Sequence, residues 1–361
     1  MGHYAYKMVE TLNFEFKPVQ ESRLPSVDFN NIIFGRVYSD HMFISDYKNG
    51  FWNDFRIEPY DYIPFSPGSA VLHYAQSVFE GLKAYKSPSG EILIFRPDKN
   101  FERMNLSARR LCIPEIPEEV FMGGLNELLK IDKEWVPGLP GTSLYIRPFA
   151  FALDEYIGIR PSETYKFIIF TCPVGAYYSK PVKVKIETKY TRAVEGGTGF
   201  AKAAGNYAAS LYPAKLAHEK GYDQLIWTDG KEHKYIEEAG TMNVMFLIGD
   251  KLITSEVGDS ILSGITRDSV LTLANEWGVD IEIRKITVDE IIDACKAGEL
   301  KEAFGVGTAA TVAQIDTIGY EGVDYKLSAM EDREFSRKIL QTLDDIRTGK
   351  AEDKYNWVYR L

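Results

Sequence analysis

The chain has 361 residues, more than one hydrophobic core can fill, since single cores stop growing near roughly 250–300 residues. No apolar run in it reaches the length of about 18 residues that a membrane-crossing helix needs. A soluble protein of two domains is therefore expected. Hydrophobic residues at 45% and aromatic residues at 13% are enough for two cores. The amino-terminal "MGHYAYKMVETLNFEF" has neither the basic nor the apolar region of a secretory signal. Tyr6 stands where a myristoylation site needs Ser or Thr. A cytoplasmic location is expected.

A formal net charge of −10 excludes the usual nucleic-acid binder, whose affinity comes from clustered Lys and Arg against phosphates. No membrane or nucleic-acid partner is expected. The three cysteines, Cys112, Cys172 and Cys295, are widely separated and odd in number, which fits neither a disulfide framework nor a CxxC site. They are expected to be reduced and mostly buried. His3, His41, His73, His218 and His233 show no ligand spacing, and no metal is expected.

Strand-like runs are "GEILIFRP" (90–97), "GTSLYIRPFAFAL" and "YKFIIFTCPVGAYY". In "DKNFERMNLSARRL" (98–111), Phe101, Met104, Leu106 and Leu111 recur at helical spacing. The polar, proline-bearing "SKPVKVK" marks a boundary, giving a smaller α/β domain over 1–178, a connection over 179–183 and a larger domain over 184–361. Hairpin turns are expected at Asp229-Gly230 and Gly249-Asp250. Helices are expected at about 206–220 and 264–277, the first disturbed by Pro213. Strands and helices without regular alternation indicate an α+β or mixed α/β architecture.

"GTGFAKAAGNY" (197–207) surrounds Lys202 with small residues. It lacks the Gly-Lys-Ser/Thr of a P-loop and the third glycine of a dinucleotide fingerprint. Two readings stand: a flexible loop with a solvated lysine, or a confined amine able to attack an aldehyde. Ser263, Gly264, Ile265 and Thr266 open a helix in "ILSGITRDS"; they form either a plain cap or an anion site. "AFGVGTAATV" interrupts an apolar strand with Gly305, Gly307 and Thr308, through a bulge or through close approach of a ligand. Arg96 ends a strand as a surface charge or a phosphate ligand. In "EEAGTMN" (237–243) either carboxylate is solvated at a strand edge or faces a pyridinium nitrogen.

Eight segments in order, "LHYAQSVFEGLKAY", "FRPDKNFERM", "LYIRP", "CPVGAYY", "KAAGNYAAS", "EEAGTMNVM", "ILSGITRDS" and "FGVGTAATV", resemble the branched-chain amino acid aminotransferases, pyridoxal phosphate enzymes of the D-amino-acid transaminase-like fold (fold type IV). The resemblance covers about 28–320. It implies that Lys202 carries the cofactor as a Schiff base, that Tyr207 meets its ring hydroxyl, and that Glu238, rather than Glu237, meets its ring nitrogen. Arg96, Gly264, Ile265, Thr266 and Thr308 would hold the phosphate and Leu262 the ring. Tyr74, Phe79, Tyr145 and Tyr177 would line an apolar substrate pocket, with Tyr74 supplied by the second subunit of a homodimer. Arg147 would receive the distal carboxylate of glutamate, and Thr308, Ala309 and Ala310 the α-carboxylate.

The implied reaction is ping-pong transfer of the amino group of leucine, isoleucine or valine to 2-oxoglutarate. D-amino acid transaminase and aminodeoxychorismate lyase share the fold and lysine, and a non-catalytic cofactor carrier is the reading from another class. The CxxC pair that follows the G-T-A turn in some animal members is replaced by "GTAATV", so thiol regulation of that kind is not expected.

Overall fold

The computed structural model describes residues 12–175 and 180–361. The chain forms two compact units, Met1–Gly175 with Arg347–Leu361, and Ala176–Ile346. Both mix sheet and helix. The carboxyl-terminal segment thus belongs to the first unit, where sequence placed all of 184–361 in the second. With that segment the first unit is the larger, not the smaller, of the two.

The first unit contains β1 (Glu15–Phe16), β2 (His41–Lys48), β3 (Phe51–Pro59), α1 (Ala70–Tyr74), β4 (Ser77–Phe79), β5 (Leu82–Lys86) and β6 (Ile92–Phe95). There follow α2 (Pro97–Arg110), α3 (Glu118–Ile131), β7 (Ser143–Ala152) and β8 (Tyr165–Val174). The second contains β9 (Val182–Ile186), α4 (Ala204–Glu219), β10 (Gln224–Thr228), β11 (Tyr235–Ala239), β12 (Met242–Ile248), β13 (Lys251–Thr254) and α5 (Ile265–Glu276). It continues with β14 (Asp280–Ile283), β15 (Ile286–Thr287), α6 (Val288–Ala297), β16 (Leu300–Gly307), β17 (Thr311–Tyr320), β18 (Val323–Lys326) and α7 (Glu334–Arg347). The last strand, β19 (Val358–Arg360), returns to the first unit's sheet.

That sheet has the order β1-β3-β2-β8-β7-β5-β6-β19, with β4 on β7. Alternation along β7 sorts its side chains onto two faces. Leu144, Ile146, Ala150 and Ala152 enter the main core with Met104 and Ala108 of α2 and Leu125 and Leu128 of α3. Tyr145, Arg147, Phe149 and Phe151 take the other face. Leu106, expected on the apolar side of α2, is 37% exposed; the helix buries Met104 and Ala108 instead.

In the second unit β12 pairs with β16 and also with β11, so β12-β16-β17-β9-β10-β11 close into a ring. The polar "SKPVKVK", expected to carry the connection over 179–183, is already strand from Val182. Val182, Val184 and Ile186 alternate into the core and the lysines face outward, which makes this stretch a strand of the ring. Gly249-Asp250 joins the Ile248–Lys251 pair as a two-residue hairpin. The longer turn after β10 is built on the Asp229 carboxylate, which accepts from the N–H groups of Lys231, Glu232, Lys234 and Tyr235. α4 runs on through Pro213.

Cys112 is exposed, against expectation, while Cys172 is buried and Cys295 intermediate; all three are free. Among the described residues no helix is long and apolar enough to cross a membrane. No His, Cys, Asp or Glu cluster among them is suited to a metal.

Candidate active site

The glycine-rich loop is held rather than free. Asn206 in the first turn of α4 donates to the carbonyls of Thr198 and Ala201 at 2.8 and 2.9 Å, and accepts from the Thr198 hydroxyl at 2.7 Å. A Cβ on Gly199 would lie 2.6 Å from the Ser260 carbonyl oxygen and 2.5 Å from Ala193 Cβ. Only glycine lets the two backbones meet there. Lys202 comes two residues before α4, half-buried, and its Nζ donates to the Tyr207 hydroxyl at 3.0 Å. The solvated-lysine alternative does not describe this arrangement.

Consecutive strand residues point to opposite faces, which separates the two adjacent carboxylates of β11. Glu238, 3% exposed, faces a cleft lined also by Arg192, Ala201, Tyr207, Gly240 and Leu262. Its Oε1 accepts from the Leu262 N–H at 2.7 Å and from the Asn243 amide at 3.3 Å. Its Oε2 lies 3.3 Å from Arg192 Nε, close enough for an ion pair but not aligned as a hydrogen bond. Glu237 instead accepts from the Ser260 hydroxyl. Burial pushes its carboxyl above the usual range, opposed by that hydrogen bond and by Arg192. Neither glutamate is the solvated strand-edge charge that composition suggests.

α5 begins at Ile265 with Gly264 as its N-cap, without a side-chain cap. The expected cap, Ser263, is therefore one residue outside, and Thr266 is buried in the first turn. The N-terminal amides of such a helix attract anions. Thr308, Ala309 and Ala310 form the turn between β16 and β17 rather than a break within one strand. The close neighbour of Gly305 is Met242, whose Cε would be 2.7 Å from an added Cβ.

In the first unit, Phe79, Tyr145 and Arg147 come together. Arg147 Nη2 donates to the Tyr145 hydroxyl at 2.9 Å, and its guanidinium carbon lies 4.6 Å from the centre of the Phe79 ring. Arg147 Nε is buried with no hydrogen-bond partner among the described residues. Tyr74 is outside this cluster, on α1, 39% exposed and against His73. Arg96 is 7% exposed at the start of α2. Tyr177 lies outside the described residues.

Sequence reasoning missed several neighbours. Arg192 carries no spacing signal. Asn206 and Asn243 were visible inside their motifs, but their hydrogen bonds were not. Phe34, whose ring centre is 5.0 Å from that of Tyr145, and Cys172, paired with Tyr145 across β7 and β8, back the first-unit cluster. Burial pushes the Cys172 thiol up to about 11, so it is an inert wall residue.

The second-unit residues fit a flat phosphorylated pyridine. They offer an amine for its aldehyde, a buried carboxylate for its nitrogen, and a helix N-terminus for an anion.

Residues 77–318 match the family model described as amino-transferase class IV. The chain is 47% identical over 340 residues to branched-chain-amino-acid aminotransferase 2 of Bacillus subtilis, covering 93% of this chain and 94% of that one. It is 43% identical over 337 residues to the branched-chain-amino-acid aminotransferase of Mycobacterium tuberculosis, covering 91% and 92%. The crystal structure of the branched-chain aminotransferase from Thermoproteus uzoniensis with norvaline matches with a TM-score of 0.72 at 26% identity, over 89% of this chain and 99% of that one.

Proposed function

The chain belongs to the class IV aminotransferases, and on that premise we propose that Lys202, Tyr207 and Glu238 form the reacting wall of its active site. Its activity is transamination of branched-chain amino acids, and its cofactor is pyridoxal phosphate. The observation that carries the residue assignment is the held Lys202 amine, 3.0 Å from the Tyr207 hydroxyl, in the loop beside the cleft that Glu238 faces.

When bound, the cofactor supplies an aldehyde carbon for amino groups and a ring that withdraws electrons. The chain supplies the proton handling. Lys202 Nζ would take up the proton released from the substrate Cα. Glu238 would hold a proton on the ring nitrogen, and Arg192 with the Leu262 N–H keeps that carboxylate in place. Tyr207 orients the Lys202 amine through its hydroxyl. The first-turn residues Gly264, Ile265 and Thr266, with Thr308 and Arg96, are assigned to the phosphate, and Leu262 to the ring face.

For substrate, Phe79 and Tyr145 offer apolar area to an aliphatic side chain, and Arg147 offers an acidic one a guanidinium whose Nε has no hydrogen-bond partner among the described residues. Thr308, Ala309 and Ala310 are assigned to the α-carboxylate, and 2-oxoglutarate is the proposed acceptor. Arg147→Ala is expected to lower kcat/KM for glutamate at least about tenfold more than for leucine, because a charge-assisted hydrogen bond is worth roughly 1.5–3 kcal/mol. Equal losses would remove the acidic-group role. A homodimer, with the exposed Tyr74 reaching a second copy, and a cytoplasmic location belong to the same proposal. Sedimentation at the mass of one chain would remove the dimer.

The overall test is transfer from L-leucine to 2-oxoglutarate by the purified protein, run beside D-alanine. Turnover of D-alanine alone would overturn the branched-chain reading in favour of the D-amino acid enzyme.

A further inference from the structure

We propose that the carboxyl-terminal segment Trp357–Arg360 is a positioning element for Arg96, presetting that guanidinium for the cofactor's phosphate; this rests on the assignment of Arg96 above.

Arg96 has an unfavourable backbone. Its φ of 50° and ψ of 48° are left-handed, a region that L side chains other than Asn and Asp rarely adopt. The following residue is Pro97, which drives its predecessor toward extended conformations. Such geometry costs on the order of 1–3 kcal/mol and persists only where the surroundings enforce it.

The tail supplies that enforcement. The Arg96 N–H donates to the Trp357 carbonyl at 2.7 Å. The Trp357 indole, 8% exposed, sits under the guanidinium, with 5.3 Å from the Arg96 Cζ to the ring centre. One tail residue thus meets Arg96 at both backbone and side chain.

Trp357 is itself fixed from several sides. Tyr355 stacks on it at 4.2 Å between ring centres, and Phe95 meets it edge-on at 5.8 Å. The Asp353 carboxylate accepts from the N–H groups of Trp357 and Val358 at 3.1 and 2.7 Å. Beyond it, Val358, Tyr359 and Arg360 pair with Phe95, Ile94 and Leu93. The Tyr359 hydroxyl accepts from Asn126 at 2.7 Å, and Arg360 reaches Glu91 at 2.9 Å. The backbone bond extends the β6–β19 register by one residue, whereas the indole against the guanidinium is a contact that covering the sheet edge does not require. With them, strand pairing at β6 and β19 is converted into a fixed direction for one arginine.

The test is a titration of the cofactor-stripped full chain with pyridoxal phosphate and, separately, with pyridoxal, which lacks the phosphate. Trp357→Ala is expected to raise Kd for pyridoxal phosphate at least about tenfold, a change of roughly 1.4 kcal/mol, while Kd for pyridoxal moves less than about twofold. In an Arg96→Ala background the same substitution is expected to cause no further loss, because both changes remove one interaction. Deletion of Val358–Leu361, which leaves Trp357 but removes its strand, is expected to give the same selective loss, and it carries the test if Trp357→Ala does not fold. Unchanged affinity, equal loss for both ligands, or additive loss with Arg96→Ala would each overturn the proposal. If tail variants and the parent bind both ligands normally but Arg96→Ala is silent toward the phosphate, the assignment of Arg96 itself falls.

Discussion

Lys202→Ala is expected to lower turnover of L-leucine with 2-oxoglutarate by at least about 10³-fold, toward the upper end of what a positioned proton-transfer group contributes. The loss is this large because one atom has two tasks. On the proposed assignment the Nζ is both the nucleophile that holds the cofactor and the base that moves the substrate's Cα proton, and a methyl group does neither. The fold is expected to survive. The loop is anchored by Asn206 to Thr198 and Ala201, and by the Gly199 contact with Ser260, none of which involves the lysine side chain. The melting temperature should therefore shift by only a few degrees, roughly the effect of 1 kcal/mol or less. The visible absorbance of the bound cofactor should be lost together with activity. Substantial turnover in a folded Lys202→Ala protein would remove this lysine from the reaction.

Glu238→Gln is expected to lower kcat by about 10²-fold or more, in the range seen when a preorganised electrostatic partner is lost. Glutamine keeps the shape and can still accept from the Leu262 N–H, but it has no charge to stabilise a protonated ring nitrogen. Alanine would be a poorer probe. It would empty the space the side chain fills and leave the Leu262 N–H without its acceptor, whereas either substitution removes the charge that faces Arg192. Gln avoids most of that loss of packing, so the kinetic effect can be read separately. Glu237→Gln is the control. Its carboxyl faces Ser260 on the other side of β11, and its kcat should stay within about threefold of the parent value, a difference under 1 kcal/mol. A larger loss at Glu237 than at Glu238 would reverse the assignment of the two carboxylates.

The strands and helices near the site were largely legible because they follow local rules. Alternation marked β7 and β8, and glycines at 221 and 278 marked the ends of α4 and α5. The errors had physical causes. "PVKVKI" has the composition of a linker, but its two lysines fall on one face and its three apolar residues on the other. A period of two outweighs average polarity. Leu106 has helical spacing, but Met104 and Ala108 claim the buried face of α2. The tail could not be assigned because its partner strand, β6, lies more than 250 residues earlier.

The sequence by itself determined the fold class, the family and the reaction. Each of these is a matter of residue types in a fixed order, which eight short motifs carry. Only the tertiary structure decided that the lysine's loop is held by Asn206, that Arg192 backs Glu238 while Glu237 turns away, and that Trp357 meets Arg96. These are contacts between residues far apart in the chain or on opposite faces of one strand. Their existence depends on strand register and burial, which no local spacing encodes.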